Sequence, residues 1–200
     1  MEIINEPKEK DKNKSNMTKL KVVFLGETLM GKSTFVSRIS SNNFLKFLKE
    51  KECIQSTPGA TYKNIIIKYE DRTFDLDLWD TAGKRKYFNL TKVFYKSADI
   101  ILIFYDPFDK SSFKRVDEIL IEIKRDGITN VIFALIRNKY DKNLGKKNNG
   151  NIVTDEEALE YADKHKLLFT HLSNFVKNET GIKELFGLVL KEYLKKEKKL

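Results

Sequence analysis

Apolar and polar positions fall into blocks along this chain, and the period changes from block to block. Leu20 to Leu25 is a short apolar run that stops at Gly26, the pattern of a buried strand. Beyond a glycine-containing loop, Phe35, Val36 and Ile39 fall at helical spacing. Ser40 to Thr61 is polar without a strong period and reads as a long loop, a kind of segment that is usually functional. Ile65 to Tyr69 and Phe74 to Trp79 read as two strands around a Glu70-Asp71-Arg72 turn. In the second of them Phe74, Leu76 and Leu78 alternate with Asp75 and Asp77, so one face is wet, as in an edge hairpin.

Two continuous apolar runs follow, Ile100 to Tyr105 and Val131 to Ile136, with a helical pattern over Ser111 to Arg125 between them. Runs of that kind, linked through a helix, predict parallel central strands covered on both faces. Thr154 with Glu157 forms a capping box before a helix reaching about His165. Leu167 to Leu172 reads as a sixth strand. The last helix carries Ile182, Leu185, Phe186, Val189, Leu190 and Tyr193 on one stripe, with lysines on the other side. Strand and helix in alternation predict a three-layer α/β domain. Its mostly parallel six-stranded sheet would have one antiparallel edge hairpin and about five helices, with ligands beyond the carboxyl ends of the strands.

Composition narrows this picture modestly. Two hundred residues, 40% of them apolar, suit one domain over 19–194. Residues 1–18 contain too little apolar surface to offset the entropy of ordering them and are expected to be a disordered extension. Residues 195–200 are expected to form a basic tail. The single cysteine, Cys53, excludes an internal disulfide and suits a reducing cytoplasmic compartment. There is no apolar run of about 18 residues to cross a bilayer. The start has no signal-peptide pattern, and Glu2 stands where myristoylation needs glycine. The net charge of +9 comes from lysine scattered along the whole chain, without an arginine–aromatic stripe or zinc-finger spacing, so no specific nucleic-acid partner is expected.

The chemistry begins at Gly26-Glu27-Thr28-Leu29-Met30-Gly31-Lys32-Ser33, which matches G-x-x-x-x-G-K-[ST] between an apolar strand and an amphipathic helix. Chance alone would produce the match in about one chain in a hundred of this length. Loop amides and the helix N-terminus aim donors at phosphates, Lys32 can bridge the β- and γ-phosphates, and the Ser33 hydroxyl can ligate magnesium. Glu27, Thr28, Leu29, Met30, Gly31, Lys32, Ser33 and Thr34 are therefore the candidate phosphate-binding positions. This loop does not choose between ATP and GTP.

Asn138-Lys139-Tyr140-Asp141 follows the Val131 to Ile136 strand directly. N-K-x-D by itself is a weak signal in a chain so rich in lysine and asparagine; its place at the ligand edge strengthens it. The Asp141 carboxylate can accept from guanine N1–H and the 2-amino group, whereas adenine offers an unprotonated N1 and no amine there. Such a site is left with an unpaired charge when adenine enters.

Trp79-Asp80-Thr81-Ala82-Gly83 lies between these two motifs. Together with GETLMGKS, STPG, YEDRTFDLDLWDTAG, YDPFDKSSF and NKYD, in that family's order, the chain resembles a Ras-superfamily small GTPase, closest to the Rab branch, over roughly Lys19 to Tyr193. The resemblance implies a P-loop G domain that binds GTP and GDP with magnesium and acts as a switch in vesicle trafficking or signalling. By it, Asp80 holds magnesium through water, the Gly83 amide senses the γ-phosphate, and Thr57 ligates magnesium in the GTP state. Phe44 would lie edge-on to the guanine, with a core aromatic beside a helix as its other reading. Effectors, an exchange factor and an activating protein would dock through the 44–61 and 83–97 loops.

The chain departs from that family in four places. Lys84 stands where the family has its water-positioning glutamine, and an ammonium cannot accept a hydrogen bond from attacking water. Lys84 could neutralise γ-phosphate charge, or simply extend into solvent. The catalytic set implied is then Lys32, Thr57, Gly83 and Lys84, with weak hydrolysis. The segment between Phe44 and Thr57 is longer by about six residues, so effector assignments do not transfer. The last base-contacting motif is represented only by Ser173 and Asn174. The chain ends Lys195-Lys196-Glu197-Lys198-Lys199-Leu200 without the usual cysteines, which leaves at most weak electrostatic membrane contact. Three readings stay open: a slow GTPase switch, a pseudo-GTPase that holds GTP as an interaction module, and another P-loop or nucleic-acid-binding protein.

Overall fold

The computed structural model describes residues 2–4, 17–41, 57–139, 152–173 and 180–199. The elements in chain order are β1 (Glu2–Ile4), β2 (Met17–Leu25), α1 (Lys32–Ser40), β3 (Ala60–Tyr69) and β4 (Arg72–Thr81). A 3₁₀ turn over Arg85–Tyr87 then leads into α2 (Phe88–Tyr95), β5 (Ile100–Tyr105), α3 (Lys110–Arg125), β6 (Ile132–Arg137), α4 (Asp155–His165), β7 (Leu168–His171) and α5 (Thr180–Glu197). The sheet order is β1-β3-β4-β2-β5-β6-β7. β4, β2, β5, β6 and β7 run parallel, and the β3–β4 hairpin is the expected antiparallel pair.

Why the apolar runs form central strands is visible in where successive side chains go. Along β2, Leu20, Val22 and Phe24 enter one core cluster while Val23 and Leu25 enter the other. β5 divides in the same way, with Ile100, Leu102 and Phe104 on one face and Ile101, Ile103 and Tyr105 on the opposite one. A strand with helices on both sides has no wet face, and its residues are apolar at every position. α1 and α5 cover the first face through Phe35, Val36, Ile39, Leu185, Phe186 and Val189. α2, α3 and α4 cover the second through Phe88, Tyr95, Val116, Ile119, Ile123 and Ala158. Phe35 sits at the centre of the first layer, its ring 5.8 Å from Phe24 and 5.6 Å from Phe104. Its truncation to alanine would cost about 3–5 kcal/mol.

The β4 alternation behaves as its pattern predicts: Phe74, Leu76 and Leu78 are fully buried, while Asp75 and Asp77 face outward beside Asn64 and Tyr62. Thr154 caps α4 by accepting from the Glu157 amide at 3.1 Å.

The six expected strands all form, and among the described residues Glu2–Ile4 adds a seventh by pairing antiparallel with the outer edge of β3 in the register Glu2↔Lys68, Ile3↔Ile67, Ile4↔Ile66. Three other expectations need correction. Part of the segment expected to be disordered is therefore edge strand, and Met17 and Thr18 extend β2 opposite Thr73 and Phe74. Backbone pairing on a neighbour's free edge needs no apolar pattern, so hydropathy does not announce it. At the other end, α5 continues to Glu197, into the expected tail, with Arg72 of β4 paired to the Glu197 carboxylate. Finally, α2 lies inside the region expected as the 83–97 loop. Its buried Phe88, Thr91 and Tyr95 follow helical spacing, a signal that was present in the sequence.

Candidate functional site

All the strands bearing candidate residues end at one edge of the sheet, because they are parallel and in register. Phe24 is opposite Asp80, Leu25 opposite Ile103, Tyr105 opposite Arg137, and Arg137 opposite His171. The residues that follow them, Gly26, Asp106, Asn138 and Ser173, thus leave the sheet on the same side.

The loop from β2 to α1 depends on left-handed backbone. Gly26 has φ 132 and Gly31 φ 86, while Leu29 takes φ 67 with its side chain exposed. A Cβ on Gly26 would strike the Phe104 carbonyl. Among the described residues no side chain caps α1, so its first amides point toward the loop as donors. Lys32 is buried, and its Nζ donates to the carbonyls of Gly26 and Glu27, each at 3.0 Å. Burial pushes its pKa down to about 8, against the opposing pull of Asp80 and Glu27. An ammonium that, among the described residues, donates to carbonyls alone in a buried site is a position that an anion would stabilise.

Three oxygen side chains from three segments meet beside it. The Thr57 hydroxyl lies 2.9 Å from the Ser33 hydroxyl and donates to Asp80 Oδ2 at 3.1 Å. Thr61 reaches the same oxygen at 3.5 Å. Asp80 is almost fully buried, and its second oxygen, Oδ1, has no hydrogen-bond partner among the described residues. Burial raises its pKa, against hydrogen bonds from Ser33, Thr57 and Thr61 and the charge of Lys32. Ser33, Thr57 and Asp80 could hold a hard divalent cation, since two hydroxyls and a carboxylate form an oxygen set of the kind magnesium takes with water and phosphate.

Behind Asp80, Thr81 donates to the Phe24 carbonyl at 2.6 Å and locks β4 to β2. Gly83 then passes against the phosphate loop so closely that a Cβ there would lie 2.5 Å from the Glu27 carbonyl carbon and 2.7 Å from its oxygen. Lys84 begins the turn that follows and is exposed.

Beyond β6, Asn138 is buried and its Nδ2 donates to the Met30 carbonyl at 2.7 Å, which ties the second motif to the first. Its Oδ1 is buried without a hydrogen-bond partner among the described residues. Lys139, at φ 60, pairs with Asp106 at 2.6 Å. Asp106 was not anticipated as a site residue. The available signal was its place immediately after the apolar β5 run, at the ligand edge. Ser173 follows β7 at that edge, with Leu172 bonded to the Arg137 carbonyl at 2.8 Å. Phe44, Asp141 and Asn174 lie outside the described residues.

A glycine loop from the central strand β2 into a helix, with Asp80 at the end of neighbouring β4 and a second cluster beyond β6, two strands away, is the arrangement of a P-loop protein of the G-domain class. The sequence profile of the Ras family matches residues 21–195. The chain is 32% identical over 180 residues, 90% of its length, to the Ras-related protein Rab-5A of Dictyostelium discoideum, of which the match covers 83%. The chain belongs to the Ras family, within the Ras-superfamily small GTPases and close to the Rab proteins.

Proposed function

We propose that this chain is a guanine-nucleotide switch that binds GTP and GDP with magnesium and hydrolyses GTP slowly. The observation that supports it most directly is the meeting of Ser33, Thr57 and Asp80 at 2.9 and 3.1 Å, beside buried Lys32 and with Asp80 Oδ1 unpaired among the described residues. Magnesium bound there would neutralise charge on the β- and γ-phosphate oxygens. Lys32 would give up its two carbonyl partners for phosphate oxygens, and the amides of residues 27–34 would complete the cradle. By the family resemblance Thr57 would ligate the magnesium when the γ-phosphate is present, which makes it the switching residue. Asp141 would discriminate guanine from adenine, and Asn138 would keep that reader in register with the loop through Met30. Lys139, with Phe44, Ser173 and Asn174, would complete the base site. Effectors and regulators would read segments 44–61 and 83–97.

The test is to extract and chromatograph the nucleotide that co-purifies with the full chain, then to follow single-turnover hydrolysis with magnesium and with chelator. GDP or GTP should be found, and ATP should compete by less than about one part in a thousand. An adenine nucleotide, or none with no measurable GTP affinity, refutes the reading. Ser33→Asn should disturb the cation site and favour GDP over GTP.

A second reading, a pseudo-GTPase acting as a nucleotide-dependent interaction module, is favoured by one observation: Lys84 occupies the glutamine's position, exposed at the start of the turn. Tight GTP binding without turnover, even with cell extract added, would select it.

A further inference from the structure

The turn after Gly83 is held by charges that the nucleotide reading does not use. The Arg85 guanidinium lies 3.7 Å from the Glu27 carboxylate of the phosphate loop and 3.1 Å from the Glu118 carboxylate of α3. Glu118 in turn is gripped by Arg115 at 2.8 Å, and the Arg115 guanidinium lies 4.6 Å from the centre of the Phe88 ring at the start of α2. Arg115 is buried, so this end of the chain of charges is fixed. The other end is Glu27, whose Oε1 accepts from the Thr28 amide at 3.1 Å. A carboxylate thus occupies a loop amide that faces Gly83, at the point where added negative charge would arrive with a triphosphate.

We propose that Arg85 is a positioning residue for the phosphate loop: anchored by Glu118, it neutralises the Glu27 carboxylate and so lets the loop accept the extra charge of GTP relative to GDP. The inference rests on the guanine-nucleotide reading and adds a role to a residue that reading leaves idle. Opposite charges at 3.7 Å attract, while an uncompensated carboxylate beside the loop repels a phosphate at longer range. The triphosphate feels that repulsion more than the diphosphate. Arg85 is largely exposed, so the effect is screened and modest.

Equilibrium binding of GDP and of a non-hydrolysable GTP analogue, with magnesium at low salt, tests this on the full chain. The parent is compared with Arg85→Ala, Arg85→Lys, Glu27→Gln and the Arg85→Ala/Glu27→Gln double variant. Arg85→Ala should weaken the GTP analogue about three- to fivefold and GDP less than about twofold, as an exposed ion pair allows. Arg85→Lys should recover most of the loss. In the Glu27→Gln background, Arg85→Ala should have almost no further effect, because there is no charge left to neutralise. Glu118→Gln should release the turn and speed tryptic cleavage after Lys84, Arg85 or Lys86. Equal losses for both nucleotides, independent effects of the two substitutions, or an unchanged cleavage rate each overturn the proposal while leaving the nucleotide reading intact. A parent chain that binds neither nucleotide overturns the nucleotide reading itself.

Discussion

Gly83→Ala places one methyl group where the structure has no room. The new Cβ would lie 2.4 Å from the Thr28 amide nitrogen and 2.7 Å from the Glu27 carbonyl oxygen, and ordinary contact begins near 3.4 Å, so strand end and loop must part by roughly 1 Å. Both partners are backbone, so no side chain can rotate out of the way. Forced contacts of this kind cost about 1–3 kcal/mol when they cannot relax. Here they can relax in one direction, because the turn beginning at Lys84 is held by the exposed ion pairs of Arg85, which yield more easily than the buried bond from Thr81 to the Phe24 carbonyl. Global stability should therefore fall little, by less than about 1 kcal/mol. The cost returns when the γ-phosphate requires the Gly83 amide against the loop. GTP affinity should then fall about 5- to 150-fold, which is the same 1–3 kcal/mol, with GDP affinity nearly unchanged. Fluorescent-nucleotide dissociation constants for both nucleotides, with a urea melt as the control, measure each part. If Gly83→Ala binds GTP as the parent does, the close approach of Gly83 has no role in recognising the γ-phosphate.

Lys84→Gln should raise the single-turnover hydrolysis rate without a matching change in nucleotide affinity. The parent should turn over at or below the roughly 3–5 × 10⁻⁴ s⁻¹ scale of intrinsic Ras hydrolysis, and a parent already faster than that would count against the account of Lys84. Asn138→Ala removes the Nδ2 donor to the buried Met30 carbonyl and should cost about 1–3 kcal/mol in urea unfolding; a loss near zero would mean the motifs are coupled some other way. For Lys32 the sign follows from a folded pKa of about 8 below the unfolded value of 10.5: the nucleotide-free fold binds fewer protons between those values, so its stability rises there with pH. Phosphate binding needs the ammonium, so GDP affinity should decline as pH rises past about 8, and a flat profile to about pH 9 would refute this. Asp141→Asn should weaken GTP and raise relative affinity for xanthine nucleotide, measured by competition; unchanged guanine preference would remove Asp141 as the base reader.

Local pattern was sufficient for those parts of the molecule whose physics is local. β5 occupies Ile100–Tyr105 as its apolar run required, because a strand covered on both faces must be apolar at every position. The shape of the β2–α1 loop was legible because glycines at 26 and 31 meet backbone angles that other residues adopt only with strain, and Thr154 announced α4 through the amide it caps. Other features required the tertiary structure, because they join distant residues whose chemical types are ordinary. Glu2–Ile4 joins the sheet through backbone pairing with β3, which any sequence without proline can offer. Asp106 meets Lys139 only because β5 and β6 are adjacent and parallel. Arg85 meets Glu27 and Glu118 only because the turn after β4 lies between the phosphate loop and α3. Ser33, Thr57 and Asp80 could each be nominated from a motif. Their convergence to within hydrogen-bond distance is set by two registers: β2–β4 puts Phe24 opposite Asp80, and β3–β4 puts Thr61 opposite Asp80 and so brings Thr57, just before β3, to the same place.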